Sequence, residues 1–220
     1  MCRLALMNNE GIKYVEGWYG LENLFNYLER QLGGHGNGIC FIYNDGSYCI
    51  KKGVNLSNAE IVKEVLMNIK YIKWIIYHTR LASVGNINDR NCHPFEDKGR
   101  IMAMNGTERN YVIVNKNLTD TENILLSTKN ITNDTRKYHS VFLGYENGKV
   151  FANKNYGSLE YMPCGNGGKV FASRLPAEYH TRDYIYEAPE HFVEGVKIKS
   201  LEPIRQRRYC DLGAYGYYSW

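Results

Sequence analysis

The chain has 220 residues, 44% apolar and 13% aromatic, enough for a substantial core in one domain. Its 27 basic and 23 acidic residues leave a net charge of +4 and lie scattered, which argues against nucleic-acid binding; the one local cluster, Arg205, Arg207 and Arg208, reads as a solvated turn. There is no signal-peptide pattern and no run of roughly 18 apolar residues, and six sparse cysteines form no CxxC pair, so a cytoplasmic protein with reduced thiols and no membrane contact is expected.

Residues 2–7 predict a short strand with Cys2 at its tip, and Asn8-Asn9-Glu10-Gly11 predicts a turn behind it. In residues 20–32 the apolar Leu21, Leu24, Phe25, Leu28 and Leu32 recur at helical spacing before Gly33-Gly34, which predicts an amphipathic helix. Asn44-Asp45-Gly46 between two β-rich runs predicts a hairpin. Ser57 as N-cap, with Glu60 at the capping-box position, opens a second helix over residues 57–70. Residues 74–78 are almost wholly apolar, as in a strand buried on both faces, and deliver His78-Thr79-Arg80 to a strand end. Residues 81–99 read as a long functional loop, and residues 101–104 as a strand broken by Asn105-Gly106-Thr107. Leu118-Thr119-Asp120-Thr121-Glu122 predicts an N-cap box for a short helix over residues 122–126. The last third predicts strands over residues 139–144, 150–153, 170–173 and 192–199. With no internal repeat or linker, one domain with two sheets and helices outside is the economical architecture.

The chemistry begins at the first residues. Removing Met1 would leave a thiol and a free amine together on Cys2. An α-amino group, with a pKa of about 7.7 to 8.0, has a neutral fraction near pH 7 that can take the thiol proton. Arg80, Asn105-Gly106 and Asp120 also sit where strands end. Taken singly, Arg80 reads as the partner of a core carboxylate, Asn105-Gly106 as a turn and Asp120 as a helix cap. Cys92 and His93 lack further ligands at metal-binding spacing, and no cofactor or metal site is expected.

Taken in order, the motifs Met1-Cys2-Arg3-Leu4, Gly34-His35-Gly36-Asn37-Gly38-Ile39, Tyr77-His78-Thr79-Arg80-Leu81-Ala82-Ser83, Asn91-Cys92-His93-Pro94-Phe95, Met104-Asn105-Gly106-Thr107 and Thr119-Asp120-Thr121-Glu122 resemble the class II glutamine amidotransferase domain, an N-terminal-nucleophile (Ntn) hydrolase. Val170-Phe171-Ala172-Ser173-Arg174 resembles a strand near the end of that domain, and the opening looks most like the small stand-alone type. The resemblance implies an α+β fold, a four-layer αββα sandwich with two antiparallel sheets. It implies that Cys2 attacks L-glutamine through a thioester and releases ammonia, that Asn105 and Gly106 stabilise the oxyanion, and that Arg80 and Asp120 bracket the α-carboxylate and α-ammonium. Ser83 and His93 join the substrate-binding group, His93 in a structural rather than a basic role. A partner synthetase or an acceptor substrate is implied. The alternatives are hydrolysis of a larger γ-glutamyl amide and a catalytically idle module used for binding or assembly. Two positions depart from the family pattern: Leu81 replaces an aromatic residue after the arginine, and Met104 replaces a histidine before Asn-Gly. The stretch over residues 127–138 is short for the helices usual there, which implies a trimmed layer. The aromatic tail over residues 208–220 reads as a plug on the domain or as a docking segment.

Overall fold

The computed structural model describes residues 2–198, 201, 203 and 204. The Arg205 cluster and the aromatic tail lie outside them.

The first strand, β1 (Arg3–Asn8), carries Leu4 and Leu6 on one face and Ala5 and Met7 on the other, all four with no exposed surface. Such a two-faced apolar strand belongs in the middle of a covered sheet. It pairs on one side with β4 (Ile72–Thr79), from Arg3 opposite Thr79 to Asn8 opposite Trp74. On the other side lies β10 (Gly168–Ala172). The hairpin β2 (Asn37–Tyr43) and β3 (Tyr48–Gly53) extends the sheet beyond β4, and β9 (Glu160–Cys164) and β11 (Tyr186–Glu187) extend it beyond β10. The result is a seven-stranded antiparallel sheet ordered β11-β9-β10-β1-β4-β2-β3. A second, five-stranded antiparallel sheet runs β12-β8-β7-β6-β5, from β12 (His191–Val193) through β8 (Lys149–Lys154), β7 (Val141–Glu146) and β6 (Arg100–Asn105) to β5 (Phe95–Asp97).

Three apolar clusters separate four layers. The helices α1 (Asn9–Trp18), α2 (Leu21–Leu32), α3 (Asn58–Asn68) and α6 (Ala177–Arg182) pack on the outer face of the larger sheet through Ile12, Val15, Leu24, Leu28, Ile61, Val65 and Tyr179. Leu4, Leu6, Ile76, Ala103, Leu143 and Ala152 fill the space between the sheets. Behind the smaller sheet, α4 (Asp120–Ser127) and α5 (Ile131–Asp134) cover Met102, Met104 and Phe142 with Ile124, Leu125 and Ile131. This is the αββα order that the motifs implied, with a thin outer layer of eight-residue and four-residue helices.

The helix layer is pinned by a buried polar network. Tyr77 stacks on Phe25 with centroids 3.9 Å apart and planes 3° from parallel, and its hydroxyl donates to Asn58 Oδ1 at 2.8 Å. The Asn58 amide in turn donates to Glu29 Oε2 at 2.7 Å, joining α3 to α2. Such a network is stable only when its members are satisfied, so these residues set how the helices lie on the sheet.

Several local expectations need correction. Asn8-Asn9-Glu10-Gly11 is not a turn: the Asn8 side chain accepts from Gly11 N–H at 3.0 Å and caps α1, because the groups that make asparagine a turn residue also satisfy a helix start. The 81–99 loop contains β5, which pairs with β6. Strands β9 and β11 and helix α6 carry no clear periodicity and were not predicted. The strand expected over 192–199 is only His191–Val193, and the one expected from 139 starts at Val141. Both capping boxes form as predicted, Ser57 with Glu60 and Thr119 with Glu122.

Gly38 marks the tightest approach in this part of the fold, since a Cβ there would lie 1.9 Å from the His93 carbonyl oxygen. Backbone cannot move aside as a flexible side chain can. Gly38→Ala is expected to lower unfolding free energy in urea by about 3 kcal/mol, the upper end of ordinary overpacking costs.

Candidate active site

The N-terminal end of β1 and the C-terminal ends of β4 and β6 meet at one edge of the sandwich. One cavity there is lined by Cys2, Arg80, Leu81, Ala82, Ser83, Val84, His93, Met104, Gly106, Thr119, Asp120 and Thr121. Six of the seven residues singled out in the sequence line it. Asn105 does not; it reaches the site through Cys2, whose backbone N–H donates to Asn105 Oδ1 at 2.9 Å. A backbone nitrogen can only donate, so the Asn105 carbonyl faces Cys2 and its amide NH2 is turned away, 3.5 Å from Ser173 Oγ. Ser173 also accepts from Leu4 N–H at 2.9 Å and so ties β1 to Asn105.

The Cys2 sulfur lies 3.4 Å from Leu81 N and 3.6 Å from Leu81 O. Burial pushes its thiol up from the ordinary value; the Leu81 N–H and the Arg80 charge oppose this, and Asp120 adds to it. The side chain is therefore a neutral thiol near pH 7, and a base is required to make it a nucleophile.

The Arg80 loop is held from below by the 34–38 motif. Arg80 N–H donates to Gly36 O at 2.8 Å, His35 N–H donates to Arg80 O at 2.9 Å, and His35 Nδ1 accepts from Ala82 N–H at 3.0 Å. The Arg80 guanidinium, buried at 3% exposure, donates to the carbonyls of Val84 at 2.8 Å and Asn86 at 2.9 Å. No carboxylate among the described residues pairs with it, so the core ion pair that is the simplest reading of a lone buried arginine is not formed, and donors remain for a ligand. Asp120, the first residue of α4, shows the converse. Its Oδ2 accepts from Glu108 N–H at 3.0 Å and its Oδ1 from Thr121 N–H at 2.9 Å, and no described cation pairs with it. Burial raises its carboxyl above the usual range, while the two N–H groups work against that rise.

His93 is fully enclosed. Its Nδ1 accepts from Met104 N–H at 3.2 Å, which leaves the proton on Nε2, 3.5 Å from Thr121 Oγ1. Its ring stacks on His78 at 4.1 Å between centroids. Burial is the main cause that pushes His93 well below its ordinary value and His78 down to about 3. Two neutral imidazoles of such low basicity make poor proton acceptors, and their place is structural. At the rim, the Ser83 and Thr107 hydroxyls are 2.7 Å apart and join the loops after β4 and β6. Sequence reasoning missed His35, Thr107, Thr121 and Ser173 as members of the site. They lie inside or beside the recognised motifs, but their contacts cross 24 to 68 residues of chain and carry no local signal.

The arrangement offers a masked thiol, a peptide N–H at Gly106, and one cationic and one anionic side chain that are both buried and unpaired. Isolated buried charges are costly, so a site that holds two of opposite sign without joining them suits a ligand carrying both complements. Among the described residues no cluster of three or more His, Cys, Asp or Glu could hold a metal, and no helix is long and apolar enough to cross a membrane.

No protein-family model and no curated protein matches the chain. Solved structures do. Glutamine phosphoribosylpyrophosphate amidotransferase from B. subtilis, complexed with ADP and GMP, is similar at 16% identity and a TM-score of 0.53, over 88% of this chain and 49% of that one. An enzyme described as the allosteric regulatory enzyme of purine biosynthesis is similar at 17% identity and a TM-score of 0.55, over 88% of this chain and 48% of that one. A glutamine aminotransferase class-II domain protein from Silicibacter pomeroyi is similar at 14% identity and a TM-score of 0.51, over 87% of this chain and 98% of that one. The chain thus spans about half the length of the first two and nearly all of the third. At these identities the likeness is one of fold: the chain shares the fold of these structures, here a four-layer αββα sandwich with two antiparallel sheets, and the resemblance read from the motifs holds at that level.

The electrostatics of Cys2 set an order of reactivity. With Met1 retained, iodoacetamide at pH 7 is expected to label the partly exposed Cys49 well before Cys2, as read by peptide mass spectrometry. Equal rates would contradict a shielded, neutral Cys2 thiol.

Proposed function

We propose that the chain is a class II glutamine amidotransferase-type hydrolase that releases ammonia from L-glutamine. The observation that carries this reading is the placement of Arg80 and Asp120, both buried and neither in an ion pair among the described residues, in the cavity that also holds Cys2. Free glutamine presents an α-carboxylate and an α-ammonium at one end and the scissile amide at the other. Arg80 holds the carboxylate through a planar fork that lysine cannot reproduce, and Asp120 holds the ammonium.

After Met1 is removed, the Cys2 α-amine takes the thiol proton. The thiolate then attacks the side-chain amide carbon, forming a C–S bond and an oxyanion. Gly106 N–H donates to that oxyanion; the Asn105 amide NH2, which faces Ser173 in the structure, swings toward the cavity to join it while the Asn105 carbonyl keeps hold of the α-amine. Collapse breaks the C–N bond, with the proton on the α-amine passing to the departing nitrogen, so ammonia and a γ-glutamyl thioester result. Water, deprotonated by the same amine, adds to the thioester and releases glutamate and the thiol. Ser83 steadies the Arg80 loop, and His93 supports the floor as a neutral ring. Ammonia is protonated in neutral water, so a separate synthetase or a directly bound acceptor is the implied partner. A γ-glutamyl conjugate offers the same amino-acid end, and comparing glutamine with γ-glutamyl amides of increasing size separates the two substrates.

Intact mass before and after incubation with 6-diazo-5-oxo-norleucine is the direct test. The expected result is a chain lacking Met1 that gains one adduct on Cys2, absent in Cys2→Ala. A chain that keeps Met1 and takes no label would leave a binding module instead. Because the folded Asp120 carboxyl titrates above its ordinary range, glutamine affinity is expected to fall with decreasing pH before an ordinary carboxylate would protonate. Asp120→Asn is expected to weaken substrate binding by about 2 kcal/mol or more and to flatten that dependence, measured as KM against pH.

A further inference from the structure

The chemistry above leaves without a role a buried acidic side chain that is bonded to the site, Glu108. Glu108 lies two residues beyond Gly106, is 8% exposed, and forms no ion pair with a described residue. Its backbone N–H donates to Asp120 Oδ2 at 3.0 Å, and its Oε1 accepts a 2.5 Å hydrogen bond from Ser140 Oγ. Ser140 is itself buried and directly precedes Val141, which pairs with Asn105 across the β6–β7 ladder. The Ser140 hydroxyl occupies the space in front of Gly106: a Cβ on that glycine would lie 2.0 Å from Oγ and 2.6 Å from the Ser140 Cβ. One residue therefore reaches both ends of the cavity, the ammonium end through its main chain and the oxyanion end through its side chain.

We propose that Glu108 is a positioning residue, whose carboxylate holds the Ser140 hydroxyl against Gly106 and so fixes the direction of the Gly106 N–H. The inference rests on the amidotransferase reading for its catalytic consequence, but not for its structural one. A serine hydroxyl has three staggered positions and rotates easily, whereas a hydrogen bond to a carboxylate is short and strong. Without that acceptor the buried hydroxyl must find another, and the Gly106 peptide is packed directly against it. The glycine has no side chain to resist the change. Because the Glu108 N–H on Asp120 belongs to the main chain, side-chain substitutions disturb the oxyanion end and keep that hydrogen bond at the ammonium end, where they remove only the minor repulsion of Asp120 by the Glu108 charge. The effect therefore falls on kcat rather than on KM.

The test compares Glu108→Leu, Glu108→Gln and Ser140→Ala in the full chain by two readouts. The first is the NMR order parameter of the Gly106 N–H, which needs no turnover. The second is kcat and KM for L-glutamine. In Glu108→Leu the order parameter is expected to drop from about 0.85 toward 0.6. kcat is expected to fall about 10- to 100-fold, less than the loss of an oxyanion donor outright, with KM within about threefold. Glu108→Gln, which keeps an acceptor for Ser140, is expected to restore most of both. Ser140→Ala, which removes one oxygen and keeps the fold if Glu108→Leu does not, is expected to loosen Gly106 similarly, and the double variant adds little. A Gly106 order parameter unchanged in Glu108→Leu or in Ser140→Ala overturns the proposal, as does a Glu108→Gln variant no better than Glu108→Leu. Loosening of Gly106 in a chain that never hydrolyses glutamine would sink the amidotransferase reading and leave the positioning role in place.

Discussion

Six ladder positions couple β1 to β4, from Arg3 opposite Thr79 to Asn8 opposite Trp74, and the site depends on that register. Leu4 and Leu6 face the space between the sheets, while Ala5 and Met7 face the helices. A slip of one residue would exchange the two sets and turn every buried side chain to the wrong layer. Core packing thus sets a position that chemistry then uses. With Arg3 opposite Thr79, Cys2 falls beside Leu81 and Arg80, and Ser173 on the other flank carries the same strand to Asn105.

Around this axis the protein spends its glycines on close approach. Gly38 lets β2 run under the His93 carbonyl, and Gly106 lets the Ser140 hydroxyl lie against the chain. Both let neighbouring segments pack where a Cβ would collide, and Gly106 itself lines the cavity. His93 belongs to the cavity wall as well, with His78 stacked behind it. Stacked and kept neutral by burial, His78 and His93 add a rigid polar floor without adding charge, so the fields in the cavity are those of Arg80 and Asp120.

These two charges illustrate how desolvation is managed. Arg80 is satisfied by backbone carbonyls and Asp120 by backbone N–H groups, so each charge is solvated by fixed dipoles. Neutralising one with the other would be simpler, but it would close the site. The thiol follows a similar logic. Buried near Asp120, it is held in its unreactive form, and under the proposed mechanism only a free amine on the same residue changes that.

Sequence and structure contributed different parts of this account. Periodicity marked α2 and α3, the Asp-Gly turn marked the β2–β3 hairpin, and both capping boxes were legible because each is a matter of residues within a few positions of one another. The motif order likewise marked Cys2, Arg80, Ser83, His93, Asn105, Gly106 and Asp120 as candidates. Helix α1 was hidden because Asn8 caps as readily as it turns, and β9, β11 and α6 because short edge elements have too few residues to show a period. Whether Arg80 would be spent on a core carboxylate, whether Asn105 would line the cavity or stand behind Cys2, and that Glu108 would bind Ser140 were not local questions. Residue type and spacing determine which groups are available and on which element they ride. Which of them remain unpaired is decided only when two sheets close on each other, because hydrogen bonding and desolvation depend on neighbours brought from 30 to more than 100 positions away.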